Sequence, residues 1–135
     1  MQLLWAVYHG LQSRSKHMEA TLGVTGPQRL VLRLVGRHPG ASASEIAATL
    51  RLHKSTLTGV LRRLEQRGLI ERSTDEEDAR RSILELTTRG ARIDARQAGT
   101  VEAAVRRALS RAEPGEIAAA ERLLRSIAEE LEGEP

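Results

Sequence analysis

The sequence predicts a mainly helical fold that carries one small β-hairpin, and three observations support this. Apolar residues recur at helical spacing on both sides of a short break, Arg51 to Lys54, which is long enough only for a tight turn. After Gly68, two short apolar runs flank a polar stretch from Ser73 to Ser82, which is typical of a hairpin with a long charged loop. Aromatic residues are nearly absent, so aliphatic side chains must build the core. Helix, turn, helix and hairpin in this order predict a winged helix-turn-helix.

The first helix is predicted over residues 3–22, because one apolar stripe runs along it and Gly23 is a typical helix stop. This stripe consists of Leu4, Val7, Leu11, Met18 and Leu22. Thr25 and Gln28 form a capping box that starts a second helix, with Pro27 tolerated in the first turn. The buried face of the second helix is predicted to consist of Leu30, Val31, Leu34 and Val35.

The helix-turn-helix follows. Ser42 and Glu45 repeat the capping-box pattern at the start of the next helix. After the tight turn, the recognition helix is predicted to begin at Lys54 or Ser55 and to end at Arg67. A glycine directly after that residue suits the left-handed conformation that often terminates a helix.

Beyond the recognition helix, the hairpin is predicted to consist of residues 69–73 and 82–86. Thr87 is predicted to cap one long helix that reaches about Leu109. Ser110 and Glu113 form a further capping-box pattern ahead of the last helix.

The predicted organisation is a winged helix at residues 25–90, with one helical segment before it (1–24) and one after it (91–135). The winged helix has a core of its own, yet the flanking helices also carry apolar stripes. A surplus apolar stripe has to bury against some other surface. We therefore expect the flanking helices to form the interface of a homodimer, with an intramolecular bundle as the alternative.

The outward face of the recognition helix suits double-stranded DNA. Its side chains are small or hydroxylated near the start and basic further on, so the backbone can approach a groove and polar groups can reach bases or phosphates. Every soluble helix has a polar outer face, so this face could simply be solvated. The hairpin that follows the helix favours DNA binding instead. The candidate DNA-binding residues are Lys54, Ser55, Thr56, Thr58, Gly59, Arg62 and Arg63.

These residues and their surroundings resemble the MarR family of bacterial transcriptional regulators. The matching motifs are Lys54–Thr58, Leu64–Ile70, Asp75–Arg81 and Leu86–Gly90. The wing of the family usually reads Asp-Pro-Glu-Asp-Arg-Arg, whereas this chain has Glu76 in place of the proline and Ala79 in place of the first arginine.

The resemblance implies a role for the wing. Asp78 would hold the guanidinium of Arg80 so that it points into the minor groove, whose negative potential attracts arginine when the groove is narrow. Arg81 is a further candidate for DNA contact, and a merely solvated loop is the alternative. The net charge is only +3, so any attraction to DNA must come from such local clustering.

The resemblance also implies a function: a homodimer that binds a pseudo-palindromic operator, represses transcription and is released by a small aromatic or phenolic effector. Trp5 and Tyr8 lie one turn apart and could line the effector cleft, although packing in the dimer interface is the interpretation we favour. The alternative function is a winged-helix protein-interaction module that dimerises without binding an operator.

Several other classes of protein are disfavoured. The absence of cysteine excludes disulfides, thiolate metal sites and the cysteine-based sensing used by the peroxide-sensing branch of the family. His9 and His17 lie about 12 Å apart along one helix, too far to share a metal ion, so no metal or cofactor is expected. No glycine-rich phosphate loop or activated nucleophile indicates an enzyme. No apolar run approaches the roughly 20 residues of a membrane span, and we expect a cytoplasmic protein.

Overall fold

The computed structural model describes residues 1–133, and these form seven helices and three short strands. In chain order they are α1 (Gln2–Leu22), α2 (Gly26–Arg37), β1 (Ala41–Ser42), α3 (Ala43–Leu50), α4 (Lys54–Gln66), β2 (Ile70–Thr74), β3 (Ser82–Leu86), α5 (Thr88–Ala95), α6 (Val101–Leu109) and α7 (Pro114–Glu132). The chain divides into two compact units, of which the first runs from Met1 to Val101 and the second begins at Glu102. The first unit contains the whole predicted winged helix.

The three strands form one antiparallel sheet in the order β1-β3-β2, so β3 is its central strand. Leu84 of β3 pairs with Arg72 of β2 on one side and with Ala41 of β1 on the other. The predicted hairpin is confirmed to within one residue. The sequence did not indicate β1, because two residues are too few to show an alternating pattern.

The core of the first unit is aliphatic, as predicted, and lies between α2, α3, α4 and the hairpin. All of its buried members are Val, Leu or Ile. They are Val24, Val31, Leu32, Val35, Ile46, Leu57, Val60, Leu61, Leu64, Leu69, Ile70 and Leu84. Because α4 contributes four of these residues, the orientation of the recognition helix is fixed by packing along one whole face.

The buried face of α2 differs from the prediction. Leu30 is 53% exposed, whereas Leu32, which the pattern had not included, is fully buried. The residues that face inward are Gln28, Arg29, Val31, Leu32 and Val35. The side chain of Arg29 is only 2% exposed, and the sequence had given no sign that a charged residue belongs to this face.

The buried guanidinium of Arg29 binds the last turn of α5. It donates hydrogen bonds to the backbone oxygens of Ile93 (2.6 Å), Asp94 (3.0 Å) and Arg96 (2.6 Å). The last carbonyl groups of a helix have no partner within the helix. Arg29 thus satisfies the end of α5 and joins it to α2.

The prediction of one continuous helix from Thr87 to Leu109 is wrong, although its predicted cap is confirmed. The hydroxyl of Thr87 accepts a hydrogen bond from the backbone N–H of Gly90 (3.0 Å). The helix ends at Ala95, and the chain passes through Gly99 in the left-handed region (φ 77°) before α6 begins. Thr100, 1% exposed, donates to the backbone oxygen of Gln97 (2.8 Å) and fixes this break.

The capping box predicted at Ser110 is also wrong. The hydroxyl of Ser110 donates to the backbone oxygen of Arg107 (3.0 Å), within the preceding turn. Helix α7 begins at Pro114 with Glu113 as its cap, and the Glu116 carboxylate accepts from the backbone N–H of Glu113 (2.8 Å). A glutamate therefore takes the place that the pattern assigned to the serine.

Apolar side chains on the flanking helices remain exposed in each unit taken by itself. On α1, the side chains of Leu4, Val7 and Leu11 are between 41% and 60% exposed. On α7, those of Leu124 and Leu131 are 61% and 80% exposed. The stripes that the sequence marked as surplus are therefore not covered by the unit to which they belong.

Candidate nucleic-acid interface

Helix α4 turns one side to the core and the other to solvent. Its buried side chains are Leu57, Val60, Leu61 and Leu64. All seven residues predicted to bind DNA on this helix are exposed, namely Lys54, Ser55, Thr56, Thr58, Gly59, Arg62 and Arg63. The tight turn before α4 is confirmed, with Arg51 in the left-handed region (φ 50°) at the end of α3. The structure thus presents these residues to solvent together, at the positions that the sequence gave them.

Gly59 leaves room for a partner to approach the backbone of α4, and the neighbouring Thr58 offers a hydrogen-bond acceptor there. A Cβ atom added at Gly59 would meet no atom within 4 Å, so the fold itself does not require glycine there. The hydroxyl of Thr58 donates to the backbone oxygen of Lys54 (2.7 Å), which leaves its oxygen as an acceptor towards the outside.

The wing loop is closed by its own acidic residues. At its base, Asp75 donates its backbone N–H to the backbone oxygen of Arg81 (2.9 Å). The carboxylates of Asp75 and Asp78 accept from the backbone N–H groups of Glu77 (2.9 Å) and Arg80 (3.0 Å). Two of the four acids at the start of the loop therefore order its backbone, which explains acidic residues in a loop that is expected near phosphate.

The expected contact between Asp78 and the guanidinium of Arg80 is not the one observed. Asp78 binds the backbone N–H of Arg80, and no ion pair joins the two side chains among residues 1–133. An aspartate commonly accepts from the backbone N–H two residues later, where it stabilises a turn. Asp78 thus fixes the backbone from which Arg80 extends, and the guanidinium itself lies in solvent.

The guanidinium that is held by carboxylates belongs to Arg81. It lies 2.7 Å from Glu45 Oε2 on α3 and 3.3 Å from Asp75 Oδ2 at the base of the loop. Glu45 also accepts from the backbone N–H (2.7 Å) and the hydroxyl (2.8 Å) of Ser42, which confirms the predicted capping box. One carboxylate therefore caps α3 and binds the wing.

These contacts change the titration of both groups. The backbone hydrogen bond from Ser42, followed by the hydrogen bond from Arg81, lowers the pKa of Glu45 from its ordinary 4.5 to about 2. The hydrogen bond to Glu45 raises the pKa of Arg81 further above its already high value. Both groups are therefore charged at every pH at which the protein is expected to act.

A second ion pair joins the wing to the recognition helix. Arg72 Nε on β2 lies 2.9 Å from Glu65 Oε1 on α4.

Between the wing and the start of α3 lies an open cleft of about 370 Å³ lined by Ser42, Ala43, Ser44, Arg72, Asp78, Arg80, Arg81 and Ser82. Three arginines thus line one cleft beside the exposed face of the winged helix.

The motif after β3 holds the end of α4 in place. A Cβ atom added at Gly90 would lie 1.9 Å from the backbone oxygen of Leu69, so only glycine fits there. The hydroxyl of Thr87 donates to the backbone oxygen of Gly68 (2.7 Å), and Arg89 donates to that of Arg67 (3.1 Å). This motif is part of the resemblance, but its structural role was not evident from the sequence.

Comparison with known proteins agrees with this architecture. The model of the MarR family matches residues 24–82. The HTH-type transcriptional repressor Rv2887 of Mycobacterium tuberculosis is 31% identical over 109 residues, which are 81% of this chain and 78% of that protein. The crystal structure of MarR, at 30% identity, superimposes with a TM-score of 0.67 and covers 96% of this chain and 95% of that one. The chain belongs to the MarR family.

Other relatives in the MarR family match a shorter segment. The organic hydroperoxide resistance transcriptional regulator of Bacillus subtilis (strain 168) is 37% identical over 89 residues, which are 66% of this chain and 60% of that protein. Across this relative and two further ones, the matched segment spans 47% to 60% of the relative's length. The 135 residues of this chain contain no cysteine, so an oxidisable thiol is not part of them.

The candidate effector residues form an aromatic cluster on α1 of this MarR-family chain. The rings of Trp5 and Tyr8 meet edge to face with centroids 5.8 Å apart, and the two side chains are 55% and 50% exposed. The imidazole of His9 lies 5.9 Å from the Trp5 ring and 5.7 Å from the Tyr8 ring. His9 therefore joins the pair, which the sequence analysis had not anticipated, and the role of the cluster in effector binding stays a prediction.

The described residues also bear on metal binding and on membrane insertion. Within residues 1–133, no three His, Asp or Glu side chains come close enough together to hold a metal ion. None of the helices in the described part of the chain combines the length and the apolar character needed to cross a membrane.

Proposed function

We propose that this protein is a homodimeric transcriptional regulator that represses by occupying a pseudo-palindromic DNA operator. The observation that carries this proposal is the exposed face of α4, set beside an arginine-bearing wing and held in place by a buried aliphatic face. Membership in the MarR family supports it, as do relatives that are named transcriptional regulators and repressors.

In this proposal α4 enters the major groove. Its first turns present hydroxyl groups and the open backbone at Gly59, and the next turn presents Arg62 and Arg63. Arginine is the residue that most often reads guanine, through two parallel hydrogen bonds. The same side chain can instead bind phosphate, which would give affinity without sequence preference.

The wing contributes the second contact. Arg80 projects from a backbone that Asp78 orders, and its exposed guanidinium is suited to the minor groove or to a phosphate. Because the chain carries a net charge of only +3, a few such arginines must supply most of the attraction to DNA.

Dimerisation follows from the uncovered apolar stripes. Exposed leucines and a valine on α1, and exposed leucines on α7, are better buried against a second copy than left in water. A two-fold dimer would place two recognition helices about 34 Å apart, so that they meet successive turns of the major groove.

Release by a small aromatic or phenolic effector is the regulatory part of the proposal. A ligand that binds one spacing of the two recognition helices better than another lowers DNA affinity by that difference. The cluster of Trp5, Tyr8 and His9 offers aromatic surface of the appropriate kind. No cysteine is available for release by thiol oxidation.

Selection of bound duplexes from a random-sequence library tests the proposal. We expect enrichment of a two-fold symmetric site whose half-sites lie about 10 base pairs apart, with affinity that falls steeply as salt rises. An intact dimer that enriches no sequence and binds no duplex at low salt would refute it, and would favour the protein-interaction module instead.

A further inference from the structure

The side chain of one arginine of the wing already binds carboxylates of the same chain. The guanidinium of Arg81 binds Glu45 on α3 and Asp75 at the base of the wing loop, at 2.7 Å and 3.3 Å. Two carboxylates on separate elements therefore share its nitrogens. Two carboxylates outweigh the single positive charge of the guanidinium, and two of its five N–H donors are directed to them, so Arg81 offers phosphate little attraction.

The contact lies at a position where it controls the wing. Apart from the pairing of the strands, two ion pairs join the wing to helices among the described residues. Arg81–Glu45 joins it to α3, and Arg72–Glu65 joins it to α4. Arg81 is adjacent to Arg80, and its backbone N–H donates to the backbone oxygen of Asp78 (2.8 Å). Binding of Arg81 to α3 thus fixes the loop on both sides of Arg80.

We propose that Glu45 and Arg81 are positioning residues of the DNA interface, which act by holding the wing and Arg80 against α3 and do not themselves bind DNA. This inference rests on the proposed function. It reassigns Arg81, which the sequence had placed among the DNA-contacting residues. If the wing is already ordered in the free protein, binding does not carry the entropic cost of ordering it, and the affinity for DNA is higher.

Glu45→Gln separates this role from simple electrostatics. Glutamine at the third position of the helix retains the capping box with Ser42, so α3 keeps its start while the charge that holds Arg81 is lost. If Glu45 were only a negative charge near phosphate, its removal would strengthen binding. Positioning predicts the opposite, a loss of about threefold to tenfold, comparable to the cost of ordering one long side chain.

Glu76→Gln is the matched control. It removes the same charge from the wing loop instead of from α3, and the Glu76 side chain makes no hydrogen bond or ion pair with residues 1–133. We expect unchanged or slightly tighter binding for this variant.

Arg81→Lys is the second test. Lysine keeps the charge but cannot present two donors from one planar group to two carboxylates, so we expect a loss of affinity similar to that of Glu45→Gln.

The experiment measures binding of each variant to a duplex of about three helical turns, recovered by selection with the wild-type protein, over a range of salt concentrations. Circular dichroism and thermal unfolding establish that each variant is folded. If Arg80 binds one phosphate, Arg80→Ala should lower the salt slope by about one unit. Glu45→Gln should lower the affinity but leave the salt slope unchanged, because Arg80 still makes its contact once the wing is ordered. The double variant should bind no more weakly than Arg80→Ala alone.

Three results would overturn the inference: Glu45→Gln binding as well as wild type, Glu45→Gln binding more tightly, or losses that add fully with Arg80→Ala. Each of these presupposes that the wild-type protein binds DNA, so each contradicts the positioning role and leaves the proposed function intact. A wild-type protein that binds no duplex would instead refute the proposed function itself.

Discussion

At the scale of single residues, two helical glycines have opposite environments. Gly59 lies in the middle of α4 with open space where a Cβ atom would be, and Gly90 lies in α5 with the backbone oxygen of Leu69 in that space. The sequence placed Gly59 on the DNA face. It could not reveal the requirement at Gly90, because the backbone that crowds it belongs to the segment between α4 and β2.

The same substitution at both glycines should therefore have opposite effects on stability. Gly59→Ala should stabilise the fold by about 0.5–1 kcal/mol, since alanine is the better helix former, and should weaken DNA binding if the backbone approaches a groove there. Gly90→Ala should destabilise the fold by at least about 1–3 kcal/mol. Urea unfolding and duplex binding of the two variants would check this, and unchanged DNA binding by Gly59→Ala would argue against close approach at that residue.

The titration of Glu45 gives a pH dependence with a definite sign. Because folding lowers the pKa of this carboxyl from 4.5 to about 2, its contribution to stability is fully present above pH 4.5 and is lost as the pH falls towards 2. The difference in unfolding temperature between wild type and Glu45→Gln should therefore be constant near neutral pH and shrink between these two values. A difference that persists unchanged at the acid end would show that the charge of Glu45 is not what stabilises the contact.

At the scale of elements, the sequence predicted best the features that depend on near neighbours, although the capping box at Ser110 is not observed. The capping boxes at Thr25 and Ser42 each join residues three apart, and both are observed. The position where α5 ends was missed, because its last carbonyl groups bind Arg29, which is 64 residues distant from Ile93 in the chain. Within the candidate site, the exposure of the α4 face was predictable from periodicity, whereas the pairing of Arg81 with Glu45 depends on how the wing folds onto α3.

Arg29 should therefore be important for stability. Arg29→Met removes the donors that satisfy three backbone oxygens at the end of α5, and each buried acceptor left without a partner costs about 1–3 kcal/mol. We expect a loss of about 3 kcal/mol or more in urea unfolding. Leu30→Ala, the neighbouring and exposed position, should change stability by no more than about 0.5 kcal/mol; the reverse order would mean that α2 is rotated from the orientation described.

At the scale of the whole molecule, the uncovered stripes predict a dimer that a single charge can disrupt. Leu124 is 61% exposed in the isolated chain, so Leu124→Asp should not unfold the unit to which it belongs. In a dimer interface it would bury an unpaired charge, at a cost large enough to dissociate the two copies. Light scattering at micromolar concentration should give about twice the chain mass of 14.8 kDa for wild type and a lower mass for the variant.

Ser126→Asp is the control for this prediction, since it adds the same charge on α7 at an exposed position two residues further on. Two residues correspond to about 200° around a helix, so the charge lies on a different side. A wild-type protein that remains a folded monomer would contradict the dimer, and equal dissociation by both variants would show that the apolar stripe is not the interface.

The central claim is that the exposed face of α4 reads DNA, and the most direct measurement is the affinity of Arg62→Ala and Arg63→Ala for the selected duplex and for a scrambled duplex of equal length. An arginine that reads a base should lose about 1–3 kcal/mol on the selected duplex and much less on the scrambled one. An arginine that binds phosphate should lose affinity for both and show a flatter salt dependence. Wild-type affinity for both duplexes in both variants would contradict the account and would place the DNA on another face of the molecule.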